Sequence, residues 1–110
     1  LWDEIGPSQL SFLKTQGLGP DHRLLDIGCG SLRGGVHFVR YLSPGHYYGV
    51  DASQDLIDAG YDIEVAAIGA TARLPRVNLM CSRTFDFAKF ETRYGRSWLL
   101  PPHASMQPTS

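Results

Sequence analysis

A short apolar segment followed by closely spaced glycines constrains the fold of this chain more than any other feature. Residues 23–27 read RLLDI, and this run ends at Gly28, Cys29 and Gly30. Such a run is typical of a strand that is buried on both faces of a parallel sheet. After the glycines, apolar side chains recur at steps of three and four, which predicts a helix. These side chains are Leu32, Val36, Val39 and Leu42.

The alternation of strand and helix continues along the chain. Residues 46–50 predict a second strand that ends at Asp51, and Ser53 can cap a second helix. Residues 77–81 predict a third strand and residues 85–90 a short helix, whereas residues 62–75 give no clear pattern. Strand–helix–strand order is typical of right-handed parallel βαβ units. We therefore predict an α/β, Rossmann-like parallel sheet with helices on both faces, in a domain that spans residues 1–94.

The end of the chain has a different character. Residues 95–110 contain three of the prolines and show little periodicity, which predicts an irregular tail with at most one short extra strand at 97–100. An uncovered edge of the first strand would pair with another chain. We therefore expect either that residues 97–100 cover this edge or that the protein forms a homodimer or aggregates.

Composition excludes several classes of function. The chain has 110 residues, of which 43% are apolar, and a formal net charge of −1. This fits one globular domain, and the scattered basic residues give no clear nucleic-acid signature. No apolar run is long enough to span a membrane. The two cysteines and four histidines lack the spacing of a metal site. A reducing, cytoplasmic setting is the expectation.

The glycine turn and two acids point to a ligand. Gly28 and Gly30 permit a tight turn and a close approach to the main chain. Asp26 precedes this turn, and Asp51 follows it by about 20 residues, where ribose-binding acids occur. The dinucleotide-binding fingerprint Gly-x-Gly-x-x-Gly would need a glycine at position 33, where this chain has an arginine. A carboxylate near the turn would also repel a pyrophosphate, whereas it suits a ligand with an amine and a sulfonium.

Each of the two acids also has an alternative interpretation, in which its role is structural and it binds no ligand. Asp26 could be a buried acid held by loop amides, and Asp51 could be a turn or cap acid before Ser53. Tyr47 and Tyr48 are expected to pack in the core. No side chain can be singled out as a general base.

The segment from Asp26 to Gly30, DIGCG, together with Asp51, resembles the class I S-adenosylmethionine-dependent methyltransferases, especially small bacterial members. The resemblance covers residues 1–90. It implies that the glycine loop contacts the methionine part of S-adenosylmethionine and that Asp51 binds the ribose. It also implies that the two residues after Asp51 lie beside the adenine, with Asp86 as a weaker candidate that could equally be a helix-turn acid. The implied cofactor-binding residues are Asp26, Gly28, Cys29, Gly30, Asp51, Ala52, Ser53 and Asp86.

Such enzymes continue with further strands that carry the substrate pocket, and this chain departs from the pattern after Tyr94. We therefore expect the cofactor half of the fold, in a truncated or altered sequence or in a minimal domain. The predicted function is a methyltransferase, or its cofactor-binding fragment, with an unidentified methyl acceptor. Two alternatives remain: a module that binds NAD or another nucleotide, and a non-catalytic interaction protein that retains the fold.

Overall fold

The computed structural model describes residues 2–94 and 98–99. The first half of the chain contains α1 (Trp2–Thr15), β1 (Arg23–Ile27), α2 (Gly35–Tyr41), β2 (Tyr47–Asp51) and α3 (Gln54–Ala59). The second half contains a π-helical segment (Gly60–Val65), two 3₁₀ turns (Thr71–Arg73 and Arg76–Asn78), β3 (Leu79–Cys81), α4 (Phe87–Tyr94) and β4 (Trp98–Leu99).

The described strands form one parallel sheet in the order β3-β2-β1-β4. The central pair aligns Leu24 with Tyr47 and Asp26 with Gly49. Because β2 and β3 lie on one side of β1 and β4 on the other, the direction of winding reverses at β1. Open α/β sheets bind ligands outside the carboxyl ends of their strands at such a reversal.

Both faces of the sheet are covered by helices. Leu24 and Tyr47 belong to the larger core cluster, which includes residues of α2 and α3 and against which α1 packs. Leu25 points to the opposite face, because side chains alternate along a strand, and it packs with Phe90 of α4. The predicted α/β, Rossmann-like fold with helices on both faces is thus confirmed.

The predicted tail falls largely outside the described residues, which omit 95–97 and 100–110. Within it, β4 lies parallel to β1 and pairs Trp98 with Arg23 and Leu99 with Leu24. Among the described helices, none is long and apolar enough to cross a membrane.

Candidate functional site

The loop after β1 turns sharply and leaves its main chain accessible. Gly28 and Gly30 have φ angles of 82° and 54°, a region that glycine adopts at little cost. The amides of Gly28 and Cys29 both donate to the carbonyl of Val50, at 2.8 and 3.0 Å, and so tie the loop to β2. A Cβ atom built on either glycine would meet no protein atom within 4 Å. The loop therefore has a fixed shape with open space beside it.

Asp51 joins this loop to the start of α3. One carboxylate oxygen accepts a hydrogen bond from the amide of Gly30 at 3.1 Å, and the other accepts from the amide of Ser53 at 3.0 Å. The hydroxyl of Ser53 in turn accepts from Leu56, so Ser53 is the N-cap of α3, as predicted from its position. The glycine loop and the second acid, predicted separately from the sequence, are in direct contact.

Asp26 lies on the same face of the sheet, deeper in the molecule. Its neighbour across the strands is Gly49, and the alternation of β2 puts Gly49 and Asp51 on one face. Asp26 is only 4% exposed, and one of its carboxylate oxygens accepts a hydrogen bond of 2.6 Å from the hydroxyl of Tyr47. The donor in this contact is a side chain of β2 rather than a loop amide.

Cys29 lies close to both acids. A Cβ atom on Gly49 would come within 2.9 Å of the Cys29 sulfur, so the thiol sits directly over the main chain of β2. Burial raises the pKa of Cys29 well above its ordinary value, and the negative charges of Asp26 and then Asp51 raise this pKa further. At neutral pH Cys29 is therefore an uncharged, unreactive thiol between two acids.

The residues after β2 meet the end of β3. Ala52 is exposed, and its carbonyl accepts a weak hydrogen bond of 3.5 Å from the thiol of Cys81. The amide of Ser82 donates to the carbonyl of Asp51 at 2.9 Å. Ala52 therefore lies at the carboxyl edge of the sheet, between the β2 and β3 ends.

Asp86 has a local structural role. Its carboxylate accepts hydrogen bonds from the amides of Ala88 and Lys89, at 2.9 and 3.3 Å, in the first turn of α4. This is the helix-turn role that the sequence left open for Asp86. Contact with an adenine stays a prediction.

Two residues of the site were not identified from the sequence. Tyr47 was expected to pack only, and it packs while also donating to Asp26. The pairing of β1 with β2 would have revealed it, because Tyr47 lies two residues before the neighbour of Asp26 and on the same face. Leu32 was predicted to begin the apolar stripe of the helix after the loop, and this is wrong, because α2 begins only at Gly35. Leu32 is instead a buried loop residue with a φ of 66°, a conformation that no sequence pattern marks.

This chain is similar to solved structures but matches no family model and no curated protein. Among solved structures, the YcgJ protein from Bacillus subtilis is similar, at 24% identity and a TM-score of 0.49, over 68% of this chain. The chain spans 28% of the length of YcgJ.

Proposed function

We propose that this chain binds S-adenosylmethionine at the carboxyl ends of β1 and β2 and forms the cofactor-binding half of a methyltransferase. The observation that carries the proposal is the hydrogen bond from the amide of Gly30 to Asp51. It joins an open glycine loop to an acid at the next strand end, on the sheet face that also bears Asp26.

The chemistry of these groups suits this cofactor. S-adenosylmethionine carries an ammonium, a sulfonium and a ribose diol, all of which are attracted to carboxylates or donate to them. Asp51 keeps lone pairs beyond its two amide contacts, because a carboxylate offers about four acceptor positions. The open space beside Gly28 and Gly30 gives a ligand access to the main chain. A pyrophosphate in the same place would face two negative charges.

Each candidate residue then has a distinct role. Asp51 would hold the ribose hydroxyls, Asp26 the ammonium, and Gly28 and Gly30 would let the methionine part approach the backbone. Ala52 and Ser53 would lie beside the adenine. When bound, S-adenosylmethionine supplies a methyl group that is already activated for displacement, so the protein mainly supplies alignment and exclusion of water. The neutral thiol of Cys29 is a poor nucleophile, which keeps it from competing with an acceptor.

A calorimetric and thermal-unfolding series tests the proposal. S-adenosylmethionine and S-adenosylhomocysteine should each stabilise the chain, by about 2.7 kcal/mol at 100 times Kd, because a ligand that binds only the folded state raises its stability. Stabilisation by NAD alone would favour a nucleotide-binding module. No response to any of the three ligands would favour an interaction protein.

A matched pair of variants locates the site. Asp51→Asn keeps one acceptor oxygen but removes the charge, and it should weaken binding of S-adenosylhomocysteine about tenfold or more. Asp55→Asn makes the same change at an exposed position in the first turn of α3 and should leave binding unchanged. Equal affinities in the two variants would contradict the assignment of Asp51.

A further inference from the structure

Tyr47 occupies an unusual position for a core tyrosine. Its side chain is 1% exposed, yet its hydroxyl reaches along the sheet face to Asp26, near the carboxyl end of the neighbouring strand. A buried hydroxyl needs a partner, and here the partner is the Asp26 carboxylate, at 2.6 Å. Such a short contact from a hydroxyl to a carboxylate belongs to the stronger class of hydrogen bonds.

The surroundings of Tyr47 fix the phenol in this place. A Cβ atom on Gly35, the first residue of α2, would overlap the Tyr47 hydroxyl and would lie 2.9 Å from the ring carbon that bears it. At the other end of the residue, the buried amide of Asn78 donates to the carbonyls of Tyr47 and Gly45, at 3.2 and 3.1 Å. Side chain and main chain of Tyr47 are therefore both held.

The phenol also remains a donor at every physiological pH. Burial raises the pKa of Tyr47 well above its ordinary value, and the charge of Asp26 raises this pKa further. The hydroxyl thus presents its proton to one oxygen of Asp26 and restrains the orientation of the carboxylate.

We propose that Tyr47 is a positioning residue that orients Asp26 and thereby sets the preference of the site for ligands with a cationic amine. The inference rests on the proposed function, because it assumes that Asp26 faces the ammonium of the cofactor. A ligand without the ammonium would gain nothing from an oriented Asp26, whereas a ligand with it would.

The test compares two ligands that differ in the amino-acid part. S-adenosylhomocysteine carries the ammonium, and 5′-methylthioadenosine lacks it. Tyr47→Phe should weaken binding of S-adenosylhomocysteine by about tenfold and leave 5′-methylthioadenosine within about twofold, since only the first ligand uses the oriented carboxylate. A purely structural role of Tyr47 would weaken both ligands equally.

The control is Tyr41→Phe. Tyr41 also donates its hydroxyl within the folded chain, to the carbonyl of Leu18 at 2.9 Å, far from Asp26 in sequence. This variant removes the same atom and breaks a hydrogen bond from a hydroxyl to a backbone carbonyl, and it should leave the ratio of the two affinities unchanged. A change in the ratio as large as that of Tyr47→Phe would overturn the inference.

A second variant covers the case in which Tyr47→Phe does not fold. Asp26→Asn keeps an oxygen that can accept from Tyr47 and removes the charge, so it should give the same selective loss. If Tyr47→Phe does fold, adding it to Asp26→Asn should cause no further change in the ratio of the two affinities. An unchanged ratio in Asp26→Asn overturns the inference, while failure of the unmodified chain to bind either ligand overturns the proposed function itself.

Discussion

Leu32 shows how a single residue can hold the glycine loop in an unfavourable conformation. Its φ of 66° lies in the left-handed region, which costs roughly 1–2 kcal/mol for a residue with a Cβ atom. The side chain is fully buried in the larger core cluster and contacts the positions of Gly35 and Gly60. Burial of the leucine side chain offsets the backbone cost, so packing rather than local preference determines the shape of the loop here.

This balance predicts that glycine at position 32 leaves the chain more stable than alanine does, the reverse of the usual order. Leu32→Ala should cost about 2–5 kcal/mol, because it removes buried side chain and keeps the strained backbone. Leu32→Gly removes one more carbon atom, the Cβ, but it relieves the strain, so it should be about 1 kcal/mol more stable than Leu32→Ala. Urea denaturation of both variants measures the difference. An alanine variant more stable than the glycine variant would show that the strain is not significant.

Cys29 makes stability depend on alkaline pH. The pKa of Cys29 is higher in the folded chain than in the unfolded chain, where it lies near 9. The contribution of the protonated thiol to the free energy of unfolding is therefore fully present below about pH 9. It is lost in the window above pH 9, as the pH rises through the folded pKa. The loss should be about 1.4 kcal/mol per pH unit in that window. Denaturation of Cys29→Ala at several pH values should show a shallower decline, with Cys81→Ala as the exposed control. Parallel declines in all three proteins would contradict this prediction.

At the scale of elements, the strands that carry the site and the helix after β2 could be predicted, whereas the segment between α3 and β3 could not. β1 spans the predicted residues, and β2 begins one residue later than predicted and includes Asp51. Both strands are buried and apolar, which gives a strong local pattern. In contrast, the π-helical segment Gly60–Val65 follows α3 without a break, and β3 begins only at Leu79, after a 3₁₀ turn. The π-helical segment packs against the glycine loop at Gly60, a contact that local periodicity does not reveal.

The π-helical segment docks on the glycine loop through Gly60. A Cβ atom at this position would lie 2.5 Å from the carbonyl oxygen of Ser31 and 2.9 Å from Cγ of Leu32. Gly60→Ala should therefore destabilise the chain by about 1–3 kcal/mol, against a helix preference for alanine of about 1 kcal/mol. Ala66→Gly, at an exposed helical position, should show the ordinary preference. Equal or higher stability of Gly60→Ala would exclude this close contact.

At the scale of the whole molecule, the sequence predicts the sheet and the meeting of loop and acids, but not the way the two faces are covered. The larger cluster draws on α2 and α3 and packs against α1, whereas the smaller one has Leu25 and Phe90 at its centre. Which helix covers which face depends on contacts between residues far apart in the chain. The role of Tyr47 has the same origin, because the phenol and Asp26 belong to different strands.

The outer edge of β3 predicts self-association, although β4 covers part of the edge of β1 as one of the two sequence expectations had it. Among the described residues, β4 pairs with β1 only at Arg23 and Leu24, and β3 pairs on one side only. Unpaired strand edges recruit other chains, so sedimentation should show a dimer fraction that rises with protein concentration. The measurement needs a reducing agent, because the exposed Cys81 could otherwise form an intermolecular disulfide. A monomer at all concentrations would contradict this prediction.

The two amide contacts of Asp51 have a consequence for how the molecule would sense its ligand. One carboxyl group bridges the connection that follows β1 and the connection that follows β2. A ligand that donates hydrogen bonds to these carboxylate oxygens would share them with the amides of Gly30 and Ser53. Ligand binding would then alter the hydrogen bond at the N-cap of α3, and hydrogen exchange of the Ser53 amide would detect this change.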